Sequence, residues 1–352
     1  MISWRRARVS SLDGGWSGSV VLTATCEDGA SLRALAHPEL VGAPEVGDLV
    51  LLNVTALQLG LGTGGYALVV ALPDRLPPDR TGPGHLVKAR YAPTQAVVLG
   101  VEEQDSPHHD LLADLSSLPG TPVVLADLHS SLPAVVAGVL TDRPQTRVAY
   151  VMTDGAALPI WLSRTVSALS GILCGTVTVG QAYGGDTEAV TLHSGLTAAV
   201  RVLDAEVVVV TQGPGNLGTG TGWGFSGLAV GEGVNAAAAV GGRPVAVLRM
   251  SRADPRPRHR GVSHHSLTAL GRVALAPADV VVPSSGRDLF DPASLPRHRV
   301  VEVDDAGLRQ ALATLVGRTG VDVSTMGRGV AEDPVSFLAA AAAGRHAAAL
   351  LG

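Results

Sequence analysis

Over its first ninety or so positions the chain alternates apolar and polar residues in short runs. RARVSSL, GSVVLTATC, SLRALA, GDLVLLNVTALQLG and GYALVVAL are separated by Gly, Pro and Asp. A period of two turns one side of each run inward, and strands this short are stable only when paired into a closed barrel or a sandwich. The expectation is a small β-rich domain over residues 1–90, barrel-like or sandwich-like. The segment PDRLPPDRTGPG, with four prolines in twelve residues, reads as a stiff boundary behind it.

From residue 91 the pattern changes. TQAVVLGVEE, TPVVLADL, TRVAYVMTD, GILCGTVTVG, AEVVVVTQG, RPVAVLRMS, DVVVP and HRVVEVD read as apolar strands. Between them lie stretches with helical spacing: PHHDLLADLSSL, SLPAVVAGVL, ALPIWLSRTVSAL, EAVTLHSGLTAAVRVL, GLAVGEGVNAAAAV, LTALGRVAL and LRQALATLVG. The end, VDVSTMGRGVAEDPVSFLAAAAAGRHAAAL, reads as a loop and then a helix from Pro334 with Asp333 as its N-cap. Strands alternating with helices predict an α/β domain over residues 91–352, with a mostly parallel sheet covered on both faces.

Composition adds few constraints. The chain has 352 residues, enough for two domains, and 46% of them are hydrophobic without one continuous apolar run long enough to span a bilayer. The start, MISWRRARVS, lacks the apolar core of a secretory signal, so the expected location is the cytoplasm. A formal charge of -5 and 3% aromatic residues argue against a nucleic-acid or membrane partner. Cys26 and Cys174 stand far apart with no CxxC pattern. Lys88 is the only lysine, a bias that base composition of the genome explains as readily as function.

The densest local signal is the stretch from Thr211 to Asn235, with nine glycines in the twenty-one residues from Gly213 to Gly233. Glycine at that density indicates tight turns or close approach to a ligand. GPGNLG matches the dinucleotide pattern G-x-G-x-x-G, but that motif opens a helix directly, whereas the following GTGTGWG implies a longer loop. A nest of backbone N–H groups binding an anion through Gly213, Gly215, Asn216, Gly218 and Gly220 is the alternative, beside purely structural turns.

Ligands of open α/β sheets bind beyond the carboxyl ends of the strands. Asp127 and His129, in ADLHSS, together with Asp154 and His193, are the candidates there for proton transfer. Asp127, His129 and His264 are the candidate ligands of a divalent metal; helix capping and packing are the structural alternatives. RPRHRGVSHHS concentrates Arg256, Arg258 and Arg260, side chains suited to a phosphate or carboxylate, ahead of the adjacent His264 and His265. Because neighbouring side chains point in different directions, at most one of those two histidines is expected to serve any one centre.

The segments TQGPGNLGTGTGWGFSGL, RMSRADPRPRHRGVSHHSLTALG and STMGRGVAEDPVSFLAAAAAG resemble a bacterial family of unknown function, found in actinobacteria and firmicutes, over essentially the whole length. The resemblance implies a cytoplasmic bacterial protein and carries no activity with it. The residues themselves lead to an expected hydrolase-like enzyme for a small anionic metabolite. Alternatives are a non-catalytic metabolite-binding or regulatory protein and a nicotinamide-dependent oxidoreductase. The N-terminal domain is the candidate surface for a homo-oligomer.

Overall fold

The computed structural model describes every residue except Ser116 and Asp322. Ser116 lies within the helix expected over PHHDLLADLSSL and Asp322 in the loop expected before the last helix, and those two positions of the expected elements fall outside the described residues. The chain divides into two compact units. One comprises Met1–Pro83, Ala89–Ala96 and Trp161–Ser167; the other comprises Gly84–Lys88, Val97–Ile160 and Ala168–Gly352.

The first unit contains a closed five-stranded barrel of β1 (Trp4–Trp16), β2 (Ser19–Cys26), β3 (Ser31–Ala36), β4 (Leu49–Asn53) and β5 (Ala67–Ala71), in the order β1-β2-β3-β5-β4. The period-two pattern sets its interior: Leu22 and Ala24, Ala34 and Ala36, Val50 and Leu52, Ala67 and Val69 all point inward and are buried. Two register shifts along β1 bend that long strand around the barrel. On the outer surface Val21, Leu35 and Tyr66 are buried beside Trp16 and Leu162, so the segment Trp161–Ser167 covers this side. Gly18 is required there. Its φ is 74°, and a Cβ would run into the Trp161 ring. The TALQ stretch, read as part of a strand, is instead a helical turn over Thr55–Gln58.

The second unit is built on a parallel sheet. Among the described residues it has eight strands: β6 (Pro122–Ala126), β7 (Val148–Thr153), β8 (Gly175–Val179), β9 (Thr187–Ala189), β10 (Val207–Gln212), β11 (Arg243–Val247), β12 (Asp279–Pro283) and β13 (Arg299–Val303). Their order is β9-β8-β7-β10-β6-β11-β12-β13, and every neighbouring pair is parallel. Its helices include α1 (Leu132–Asp142), α2 (Leu192–Arg201), α3 (Ala229–Ala239), α4 (His264–Thr268), α5 (Leu308–Thr319) and α6 (Pro334–Ala349). Helices α1, α5 and α6 pack together on one face, while α2 and α3 pack on the other. Strands that read as continuous apolar runs are those buried on both sides, as β6 and β10 are throughout.

Two expected elements are altered. The run TQAVVLGVEE forms a strand only over Ala96–Val98 and does not join the large sheet. Glu103 therefore stands at no strand end: it is buried and accepts from the Gly100 and His85 amides at 2.6 and 2.9 Å. Asp333 precedes α6 without capping it. Its carboxylate accepts from the Ser251 hydroxyl and the Arg252 amide instead, at 2.5 and 3.0 Å, tying the helix start to the segment after β11.

The α1–α6 crossing explains why the last helix is mostly alanine and glycine. A Cβ on Gly138 would overlap the Ala341 carbonyl, and one on Gly344 would overlap the Val135 carbonyl. The two backbones touch directly, so neither neighbour can yield by rotating a side chain. On an open helix surface Gly→Ala gains roughly 0.5–1 kcal/mol of propensity. Here the overlap reverses the sign: Gly138→Ala and Gly344→Ala should each destabilise the larger unit by about 1–3 kcal/mol in urea unfolding. A neutral or stabilising result would show that the helices are not in backbone contact.

Candidate functional site

The topology singles out one place at the carboxyl edge of the sheet. Strand β6 is followed by α1, on the face shared with α5 and α6. Its neighbour β10 is followed by α3, on the opposite face. Loops leaving two adjacent strands for opposite faces open a crevice between them, the switch point at which open α/β sheets bind ligands. Asp127 follows β6, Gln212 ends β10, and Arg249 lies just beyond β11 on the other side of β6.

Asp127 is buried, and its carboxylate is the node of the crevice. Oδ1 accepts from Asn216 Nδ2 at 2.7 Å, and Oδ2 accepts from Arg249 NH1 at 3.1 Å. His265 Nδ1 lies 3.3 Å from Oδ2, and Gln212 Nε2 donates to the Asp127 carbonyl at 2.8 Å. Burial alone would raise the carboxyl pKa; the hydrogen bond from His265 and the charge of Arg249 outweigh it and hold the group below the usual carboxylate range. Gly227 makes room for it, since a Cβ there would occupy the position of Oδ1.

Beyond Asp127 three imidazoles converge. His259 ends a 3-10 turn, His264 and His265 open α4, and one ligand atom from each lies within 4.8 Å of the others. The ring centroids are 4.5 Å apart for His264–His265, 4.9 Å for His259–His265 and 5.2 Å for His259–His264. The expectation that adjacent histidines cannot share a centre is thereby corrected: long imidazole side chains at the free end of a helix close the angle between successive positions. Ser263 caps that end, accepting from the His265 amide, and its hydroxyl lies 2.7 Å from His259 Nδ1. Phe225 stacks on His265 with centroids 3.8 Å apart and planes 1° from parallel.

His265 Nδ1 lies between Asp127 Oδ2 and Arg249 NH1, at 3.3 and 3.2 Å, and His259 Nδ1 faces the Ser263 hydroxyl, so these contacts engage Nδ1 of each ring and not its Nε2. His264 Nε2 is buried and has no hydrogen-bond partner. Burial, then the Arg249 and Arg256 charges, push His259 down to about 3; burial, then His265 and Arg258, lower His264. Both are neutral at physiological pH, the form that ligates metals. The cluster is consistent with a divalent-metal site, with a carboxylate behind one imidazole and a hydroxyl behind another as orienting groups.

The candidates named from sequence fall into different places. Asp127 and His264 meet in the crevice, Asp127 behind His265 and His264 in the cluster itself. His129 stands apart from the cluster: its ring is hydrogen-bonded to Tyr150 Oη at 3.1 Å and to the Gln212 backbone, and burial lowers its pKa to about 4. Asp154 is exposed beyond β7, against Gly180, and His193 is exposed on α2. Neither belongs to the cluster found among the described residues.

Arg256 is committed to a bidentate pair with Asp254, at 2.9 and 2.8 Å. Arg258 and Arg260 are exposed, and the Arg258 guanidinium lies beside Gly220 of the glycine loop. That loop closes on itself, Thr219 N donating to Gly224 O and Gly224 N to Thr221 Oγ1. Gly215 and Gly220 take φ of 103° and 80° in it. Gly213 is buried at its start and Gly218 faces the His265 ring. The helical turn begins only at Ser226, so the glycine motif does not open a helix as a dinucleotide site requires. Asn216 and Phe225 attach the loop to Asp127 and His265.

His259, His265, Ser263, Gln212 and Arg249 complete the site without having stood among the principal candidates. Their signal lay in the H-x-x-x-x-H-H spacing around a Ser at a helix start, and in polar residues ending two central strands.

No curated protein and no solved structure matches the chain. A family described as Protein of unknown function (DUF3866) matches residues 33–344, a span that takes in the whole crevice. The chain belongs to that family.

Proposed function

We propose that the protein is a metal-dependent, hydrolase-like enzyme for a small metabolite bearing a phosphate or carboxylate. The observation that carries this reading is the convergence of His259, His264 and His265 at the switch point, with His264 Nε2 buried and unpartnered. Three imidazoles leave coordination positions open, as in catalytic rather than structural sites. A divalent cation held there supplies Lewis acidity and lowers the pKa of bound water. Asp127 orients His265, Ser263 orients His259, and Arg249 keeps Asp127 ionised. Arg258, exposed beside Gly220, is placed to attract the anionic end of the substrate.

The two free thiols, Cys26 and Cys174, suit a reducing compartment, and a bacterial cytoplasm is part of the proposal. No helix among the described residues is long and apolar enough to cross a membrane. Elemental analysis and native mass spectrometry of protein purified without chelator should find one metal equivalent per chain. Chelation should abolish hydrolysis of simple phosphate and carboxylate esters, and the same metal should restore it. Metal retained with no turnover on any such ester would leave a metabolite-binding protein; no metal uptake would end the proposal.

A further inference from the structure

His265 Nδ1 has two neighbours that make opposite demands on it. It lies 3.3 Å from Asp127 Oδ2 and 3.2 Å from Arg249 NH1, and those two atoms are 3.1 Å apart. The ionised carboxylate can only accept and the guanidinium can only donate, so the nitrogen cannot bond to both. A neutral imidazole that ligates a metal through Nε2 carries its hydrogen on Nδ1. Asp127 matches that form. Arg249 opposes it, by setting a donor against a donor and a positive charge behind a cation site. Where it stands, Arg249 restrains metal binding.

Arg249 also lines a pocket at the ends of β6 and β11, with Asp127, Ser130, Ser131, Thr325 and Arg328. Arg328 reaches it from a short hairpin, in which Ser324–Thr325 pairs with Arg328–Gly329. The acids of this pocket are engaged: Asp127 by Asn216 and Arg249, Asp254 by Arg256 and Arg328. Several donors are not. Among the described residues, Arg249 Nε and NH2, Arg328 NH1 and the hydroxyls of Ser130, Ser131 and Thr325 make no hydrogen bond to the protein, and none is sealed from solvent. Unused donors of this kind call for an anionic acceptor. The interior, about 20 Å³, takes roughly one or two water-sized groups, which suits the two oxygens of a carboxylate and not the four of a phosphate. Each guanidinium already faces an aspartate, so one negative charge fits better than two. We infer that the pocket binds the carboxylate of a small effector, which draws Arg249 off His265 and thereby strengthens metal binding, an inference that rests on the histidine cluster being a metal site. The effector sits on the Nδ1 side of His265, away from the metal, and by linkage each ligand raises the affinity of the other by the same factor.

Zinc affinity of the full chain, measured by chelator competition in sodium formate and in sodium chloride of equal ionic strength, tests the coupling. Formate should raise it at least about fivefold. Arg328→Gln should abolish that rise and leave the affinity in chloride little changed. Ser131→Ala with Thr325→Val, which removes no hydrogen bond found among the described residues, gives the same reading if Arg328→Gln does not fold. Arg249→Met should bind zinc about tenfold more tightly than the wild type in chloride and no longer respond to formate. In the metal-free protein, formate and not inorganic phosphate should raise Tm, which probes the pocket without the metal. No effect of formate on zinc affinity, a rise that survives the pocket variants, equal stabilisation by phosphate, or weaker zinc binding by a folded Arg249→Met protein would each overturn the inference. A wild type that takes up no zinc at all ends the metal reading and the coupling with it, whereas zinc uptake unmoved by formate ends only the coupling.

Discussion

Lys88→Met should destabilise the larger unit by about 3–5 kcal/mol, enough to remove much of the stability of an ordinary domain. The Lys88 side chain is fully buried. Its Nζ donates to the carbonyls of Gly180, Ala182 and Ala189 at 3.0, 2.9 and 3.3 Å, and lies 3.3 Å from Glu188 Oε2. Glu188 in turn accepts from Thr178 Oγ1 at 2.7 Å and from the Gly184 amide. Desolvation lowers the Lys88 pKa and raises that of Glu188, while their mutual attraction opposes both shifts. Methionine keeps the stem and deletes the charge, leaving a buried carboxylate without its counter-ion and three carbonyls without this donor. The double variant Lys88→Met/Glu188→Gln should recover part of the loss, because the orphaned carboxylate is then neutral. Urea unfolding of the two variants and the wild type reads this directly. A single variant as stable as the parent would show that the pair contributes nothing.

Lys88 also marks where sequence reading stops. As the only lysine it could be noticed, but nothing in its neighbours reveals that four groups from residues 180 to 189 surround it. The sheet was legible because its strands are apolar runs of fixed length, and the barrel because its alternation has a period of two. Asp127 was legible from its place at a strand end. His129 shares that local pattern, yet the 3-10 turn at His129–Ser131 rotates it toward Tyr150. The glycine stretch borders the crevice, though its glycines are only part of what attaches it there. Gly227 is needed to admit Asp127, and Gly218 faces His265, but Asn216 and Phe225 make the attachments that matter. Convergence of His259 with His264 and His265 depends on how a turn of irregular backbone meets the start of α4. Spacing alone does not specify that.

Asp127→Asn should lower metal affinity by roughly 10–100-fold, the usual effect of losing a carboxylate behind a metal-bound histidine. The change is isosteric, and the side-chain oxygen can still accept from Asn216 or from Arg249. What it loses is the anionic oxygen that His265 Nδ1 faces at 3.3 Å. An imidazole without that anchor is less well oriented for ligation. Asp127 thus acts through His265, as a positioning residue. His264→Ala, which deletes a ligand whose Nε2 is buried and unpartnered, should weaken binding further still. Asp127→Ala is the harsher variant. It strands Arg249, whose side chain is 11% exposed, without its counter-ion, and should cost about 3–5 kcal/mol of folding stability as well. Competition titration with a chromophoric zinc chelator, together with the visible spectrum of the cobalt-loaded protein, distinguishes these effects from a general loss of structure. A folded Asp127→Asn protein with unchanged zinc affinity and an unchanged cobalt spectrum would mean that the carboxylate serves Arg249 and the glycine loop, and has no part in orienting His265.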